Sequence, residues 1–91
     1  LYYGGFYMRI IKINEYNTNM GKLIDVQHPL DYKKDHDPRS INIYADKLIM
    51  NHQKYLNKHD IYYIICSKGH LSKKVVRTLS YYGYNVVQVL R

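Results

Sequence analysis

Ile61-Tyr-Tyr-Ile-Ile-Cys-Ser-Lys-Gly-His-Leu-Ser72 is the stretch on which the rest of the chain is organised. Its first six residues, through Cys66, form an apolar run rich in Ile and Tyr, as a buried strand requires. The chain's single cysteine ends that run, a short loop containing Gly69 follows, and a helical pattern begins near Ser72. The reading is strand, tight loop, helix. A loop so placed turns backbone N–H groups inward, beside the positive end of a helix dipole. A sulfur at its start finds donors for its anionic form, and Lys68, Lys73 and Lys74 add positive potential. Free cysteine is also among the residue types most often buried as a small hydrophobe, so a core role for Cys66 stands beside the chemical one. The small polar run Ser67-Lys68-Gly69-His70, suited to folding back over the sulfur, favours chemistry.

Outward from this centre the pattern alternates. Ser72–Tyr82 has Val75, Val76, Leu79 and Tyr82 on one face and Lys73, Lys74, Arg77 and Ser80 on the other, and Gly83 is placed to end the helix. Asn85–Leu90 reads as a last strand. Upstream, Ala45–Tyr55 is helical, with Ala45, Leu48, Ile49, His52 and Leu56 at spacings of three and four. Met8–Ile13, Lys22–Val26 and Ser40–Ile43 are further strands. Pro29 suits the first position of a short helix over Leu30–Lys34, and Asn14 is placed to cap a turn or two of helix before Gly21. Strands alternating with helices predict a parallel sheet covered on both faces, with ligands at the carboxyl ends of its strands. Cys66 stands at such an end.

A chain of 91 residues makes one domain. Residues 8–91 form it, and residues 1–7, Leu-Tyr-Tyr-Gly-Gly-Phe-Tyr, read as an N-terminal extension or cloning boundary. The aromatic edge of a membrane anchor lying upstream is the second reading of 1–7. No window is apolar enough to span a bilayer, and no stretch has the charged start and apolar middle of a signal peptide. Fourteen Lys and Arg against seven Asp and Glu give a net charge of +7, which favours anionic partners in general. The basic residues are mostly solvated faces without an interleaved aromatic stripe, so nucleic acid is not an expected partner. One cysteine excludes an internal disulfide framework and a Cys-rich zinc site, and a reducing compartment, the cytoplasm, is the simpler setting. The histidines are scattered, so neither metal nor cofactor is expected.

Four segments carry a resemblance to the single-domain rhodanese family. Lys22-Leu-Ile-Asp-Val-Gln-His-Pro-Leu-Asp-Tyr32 resembles the family's "LIDVRxPxEY". His36-Asp-Pro-Arg-Ser-Ile-Asn-Ile43 resembles "HIPGAINI", Ile64-Ile-Cys-Ser-Lys-Gly-His-Leu-Ser72 resembles "VYCxxGxRS", and Ser80-Tyr-Tyr-Gly-Tyr-Asn-Val-Val87 resembles the closing "LxxxGYxNV". Their order and spacing over about Ile13–Leu90 are quite specific. The resemblance implies a three-layer α/β fold with a central, mostly parallel five-stranded sheet. It also implies sulfur transfer. Cys66 takes sulfane sulfur from a donor such as thiosulfate, holds it as a persulfide, and passes it to cyanide, a thiol or a protein acceptor. Ser67, Lys68, Gly69, His70, Leu71 and Ser72 are the implied anion-binding loop, with Asp25, His36 and Lys73 in support. Asp25 is expected to hold a loop through backbone hydrogen bonds, His36 to make a structural hydrogen bond, and His70 to be a solvated loop histidine.

This chain departs from the family at several places. Leu71 stands where the loop usually has Arg, Gln27 where "DVR" has Arg, Arg39 where "IPGA" has Gly, and Asp37 precedes Pro38 in place of Ile. Loss of the loop arginine removes a fixed cation. The alternative function is therefore a catalytically weak or inactive binding or regulatory module, with or without a membrane tether supplied by a segment before Leu1. Phosphatase and arsenate reductase relatives have a loop one residue longer with Arg seventh; the seventh residue here is Ser72, which argues against phosphoryl chemistry.

Overall fold

The computed structural model describes residues 2–3 and 6–91, with side chains from Met8 onward. Strands β1 (Tyr2–Tyr3) and β2 (Phe6–Tyr7) pair antiparallel, Tyr2 opposite Tyr7. The remainder of the 1–7 stretch, and with it the membrane-edge reading, lies outside the described residues. The main sheet contains β3 (Arg9–Lys12), β4 (Lys22–Asp25), β5 (Ser40–Asn42), β6 (Ile61–Ile65) and β7 (Asn85–Leu90), in the order β3-β7-β6-β4-β5. Every pairing in it is parallel.

Alternation along β6 divides the core. Tyr62 and Ile64, with Cys66 beyond the strand's end, face one layer; Tyr63 and Ile65 face the other. The first layer is filled by Ala45 and Leu48 of α2 (Ala45–Met50) and by Val75, Val76 and Leu79 of α4 (His70–Tyr81). The last three are fully buried, a contribution of roughly 1.5–3 kcal/mol each. The opposite face is covered by a 3-10 turn over Ile13–Glu15 and the segment through Met20, with Tyr16 buried against Tyr63.

Helix α4 ends where Gly83 N–H reaches the Ser80 carbonyl and Tyr84 N–H the Leu79 carbonyl. Helix α1 (Pro29–Lys34) buries no residue.

Three local expectations are corrected. The predicted helix over Ala45–Tyr55 breaks at Asn51, whose φ/ψ of −126°/33° separates α2 from α3 (His52–Tyr55). The Asn51 side chain donates to the Lys47 carbonyl at 2.9 Å, a local alternative to continuing the helix. Tyr82 does not face inward. It is 42% exposed and stacks on His52, while Tyr84 is buried and bonds His52 Nδ1 through its hydroxyl at 2.7 Å. The first turn is not capped by Asn14; Lys12 precedes it and donates its backbone N–H to Glu15 Oε1 at 2.8 Å.

Two of the departures noted in the sequence close on each other. Asp37 Oδ1 accepts both the backbone N–H and Nε of Arg39, and Oδ2 accepts Nη2 at 2.8 Å. Arg39 Nη1 then donates to the Tyr16 carbonyl, and the guanidinium lies over the Tyr16 ring, 5.0 Å from its centroid. The pair fastens the approach to β5 onto the segment before β4. These hydrogen bonds from Arg39 hold the Asp37 carboxyl at about 2, below its usual range.

A carboxyl depressed in the folded state stabilises above its unfolded value near 4 and loses that contribution as pH falls toward about 2. Arg39→Leu is therefore expected to be less stable than wild type from about pH 5 to 7, with the difference narrowing as pH falls through about 2; urea denaturation across that range measures it. Gly21, at φ +151°, is the second sensitive point, because a Cβ there would overlap the Ile61 carbonyl oxygen. Gly21→Ala is expected to cost about 2 kcal/mol or more and to lower the thermal midpoint by roughly 8 °C or more.

Candidate functional site

In a parallel sheet, chemistry gathers where successive connections leave in opposite directions. Here β4 leads outward to β5 and β6 leads the other way to β7, so the divergence lies at the carboxyl ends of β4 and β6. Asp25, Val26 and Gln27 end the first; Cys66 ends the second, and Val26 N–H donates to the Ile65 carbonyl to hold the two ends together.

The loop after Cys66 is shorter than the sequence suggests. Gly69, with φ/ψ of 86°/−17° in the left-handed region, turns the chain, and α4 begins at His70. His70, Leu71 and Ser72 are thus the first turn of a helix, where backbone N–H groups have no partner within the helix. No side chain at Gly69 satisfies them. The Cys66 sulfur satisfies one of them, accepting the Ser72 N–H at 3.2 Å. The Cys66 S–H donates to Ser72 Oγ at 3.3 Å, and Ser72 Oγ donates to the Gly69 carbonyl at 3.2 Å. Cys66 is 4% exposed and Ser72 fully buried.

The predicted site residues divide accordingly. Cys66 and Ser72 meet at the sulfur, and Gly69 joins them through its carbonyl, which accepts the Ser72 hydroxyl. Ser67, Lys68 and His70 are exposed on the outside of the loop. Leu71 is half-buried and packs against the apolar core. Lys68, His70 and Lys73 line one side of a hollow of about 300 Å³, and Met8, Ile10 and Leu90 line the other. A larger hollow, about 580 Å³, lies along α4 between Lys74, Arg77 and Tyr81. It shares His70 and Lys73 with the smaller hollow, but only the smaller of the two also takes in Gly69 and Gln88, the residues bonded to Ser72, and so lies nearer the sulfur.

Asp25 lies beside the site without touching the sulfur. It is buried in register with Ile65; Oδ1 accepts the Gln27 N–H and Oδ2 the Gln27 Nε2, both at 2.9 Å. His36 lies in the connection to β5, its ring stacked on Tyr32 at 3.7 Å and its Nδ1–H donating to the Tyr32 carbonyl at 2.6 Å.

Two residues were not singled out by the sequence. Gln88 of β7 donates through Nε2 to the Gly69 carbonyl at 2.9 Å and to Ser72 Oγ at 3.1 Å. Its signal was a lone polar residue within Val86-Val-Gln-Val89. Arg91 places Nη2 3.6 Å from Asp25 Oδ2 and donates through Nη1 to Asp35 Oδ2 at 3.2 Å, so a cation reaches Asp25 although Gln27 replaces the expected arginine. Among the described residues no cluster of His, Cys, Asp and Glu is positioned to hold a metal ion. No helix among them is long and apolar enough to cross a membrane.

The arrangement offers a buried sulfur with one backbone donor, one reversible hydroxyl partner and a basic approach. A cysteine so placed can serve as a nucleophile through its thiolate form.

The comparisons agree with this geometry. The model of the rhodanese-like domain matches residues 12–91. No curated protein matches the chain. A protein of known structure from Staphylococcus saprophyticus is 28% identical, with a TM-score of 0.80 over 91% of this chain and 87% of its own. A rhodanese-related protein from Thermoplasma volcanium is 30% identical, with a TM-score of 0.76 over 90% of this chain and 83% of its own. A rhodanese-like domain protein from Staphylococcus aureus is 28% identical, with a TM-score of 0.79 over 91% and 85%. With nearly the whole chain matched and the strand–loop–helix around Cys66 in place, this protein belongs to the rhodanese-like domain family.

Proposed function

We propose that the protein is a sulfurtransferase that carries sulfane sulfur as a persulfide on Cys66. The observation that carries the reading is the position of the sulfur beneath the first turn of α4, where it accepts the Ser72 N–H at 3.2 Å. Cys66 thiolate attacks the outer sulfur of thiosulfate; the new S–S bond forms, the bond to the sulfonate sulfur breaks with its electron pair, and sulfite leaves. The product is an anionic persulfide on Cys66. Cyanide or a thiolate then attacks its terminal sulfur and returns Cys66 as thiolate, as thiocyanate or a new persulfide departs. Both half-reactions keep negative charge at one place, which favours fixed donors over mobile ones.

The basic side of the hollow, Lys68, His70 and Lys73, suits an anionic donor, and the net charge of +7 acts in the same direction over longer range. The partners are a small sulfur-containing anion and a thiol or protein acceptor. The setting is the cytoplasm, where Cys66 stays reduced. A second reading, a binding module of low turnover, draws on Leu71, whose side chain packs into the core where the family resemblance implies a cation.

Intact-protein mass spectrometry after incubation with thiosulfate separates the two. Wild type is expected to gain a single sulfur that cyanide or a thiol removes, and Cys66→Ser to gain none. No added sulfur on wild type, from thiosulfate or from a persulfide donor, would favour the binding module.

A further inference from the structure

Gln88 is 3% exposed in a strand whose neighbours Val86, Val87 and Val89 are apolar. A primary amide in such a place persists only when its donors are used. Both donor contacts run to the two groups that fix the Cys66 loop, the Gly69 carbonyl and Ser72 Oγ. A carbonyl oxygen has two lone pairs. Three donors reach that of Gly69: Gln88 Nε2 at 2.9 Å, the Lys73 N–H at 3.1 Å and the Ser72 hydroxyl at 3.2 Å. The hydroxyl is the surplus donor. Its other neighbour is the Cys66 sulfur, 3.3 Å away.

With Cys66 protonated, S–H donates to Ser72 Oγ. When that proton passes to solvent, the sulfur becomes an acceptor only, and the hydroxyl can turn to it. Gln88 supports this reversal twice. It keeps the Gly69 carbonyl satisfied after the hydroxyl leaves, and it occupies a lone pair of Ser72 Oγ so that the remaining proton points at sulfur.

We propose that Gln88 is a positioning residue that commits the Ser72 hydroxyl to the anionic sulfur of Cys66. Its significance for turnover rests on the sulfurtransferase reading, but its effect on the thiol does not require sulfur transfer.

Because Cys66 is the only cysteine, alkylation by iodoacetamide reports on it alone. The rate is measured against pH in wild type, Gln88→Met, Gln88→Leu, Ser72→Ala and the Gln88→Met/Ser72→Ala double variant, with thermal melts in parallel. The charged and titratable groups around this end of the sheet are Lys68, His70, Lys73, Asp25 and Arg91; all are kept in every variant. Each single variant is expected to move the midpoint of the profile upward by about half to one pH unit, a roughly three- to tenfold slower reaction at a fixed lower pH. The double variant is expected to match Ser72→Ala, since Gln88 acts through that hydroxyl. Val86→Ala, on the same strand, is expected to lower the melting temperature without moving the midpoint.

An unmoved midpoint in a folded Gln88 variant, or a double variant whose shift is the sum of the singles, would overturn the inference. Should neither Gln88 variant fold, NMR of wild type decides: the Gln88 side-chain amide signals are expected to titrate at the alkylation midpoint, and a flat trace overturns the inference. Normal alkylation shifts without sulfur loading would sink the sulfurtransferase reading and leave this one standing. Normal loading with unmoved midpoints would do the reverse.

Discussion

The structure depends on β6 being paired along both edges and covered on both faces. Parallel pairing to β4 and β7 uses its backbone groups, and alternation commits its side chains to two apolar layers. Such a strand has no place along its length for a reactive group. Only where pairing stops, one residue beyond Ile65, can a side chain be at once in the core and next to polar backbone. Cys66 occupies that residue. The turn at Gly69 then brings α4 back over the sheet, so that the start of the helix lies against the sulfur.

The buried polar side chains follow the same constraint. Asp25, Gln27, Ser72 and Gln88 lie near the carboxyl ends of the central strands, and each is engaged in a connection, whereas Ser40, at the start of the edge strand, donates to the Asp37 carbonyl. Asn42 joins them from the edge strand, donating to the carbonyls of Asp25 and Gln27. Among the described residues no buried side-chain nitrogen or oxygen is left without a partner. The polar groups fasten the loops at one end of the sheet, while the apolar layers hold the strands and α4 together. The departures from the family pattern are absorbed locally: Asp37 and Arg39 pair with each other, and Arg91 brings a guanidinium to Asp25.

The elements were legible because their signals are local. Ile61–Ile65 and Asn85–Leu90 are apolar runs bounded by turn residues, and Val75, Val76 and Leu79 recur at helical spacing. Cys66 was legible from its place between strand and loop. What escaped depends on atoms far apart in the chain. Gln88 meets Gly69 across 19 residues, and Arg91 meets Asp35 across 56. Nothing near either residue announces its partner. Asn51 was missed for a different reason: a single side-chain bond to Lys47 outweighed an apolar periodicity that runs on through Leu56. Tyr82 was expected inward because it continues the spacing of Val75 and Leu79, but the helix ends at Tyr81, and beyond the turn at Gly83 it is Tyr84 that is buried.

The atom that closes the start of α4 is the one the chemistry would alter. In most helices that role falls to an oxygen that never changes its bonding. Here it falls to sulfur, whose charge, radius and substitution differ between thiol, thiolate and persulfide. Any change in the covalent state of residue 66 would therefore fall directly on the backbone beside it, through the amide of Ser72.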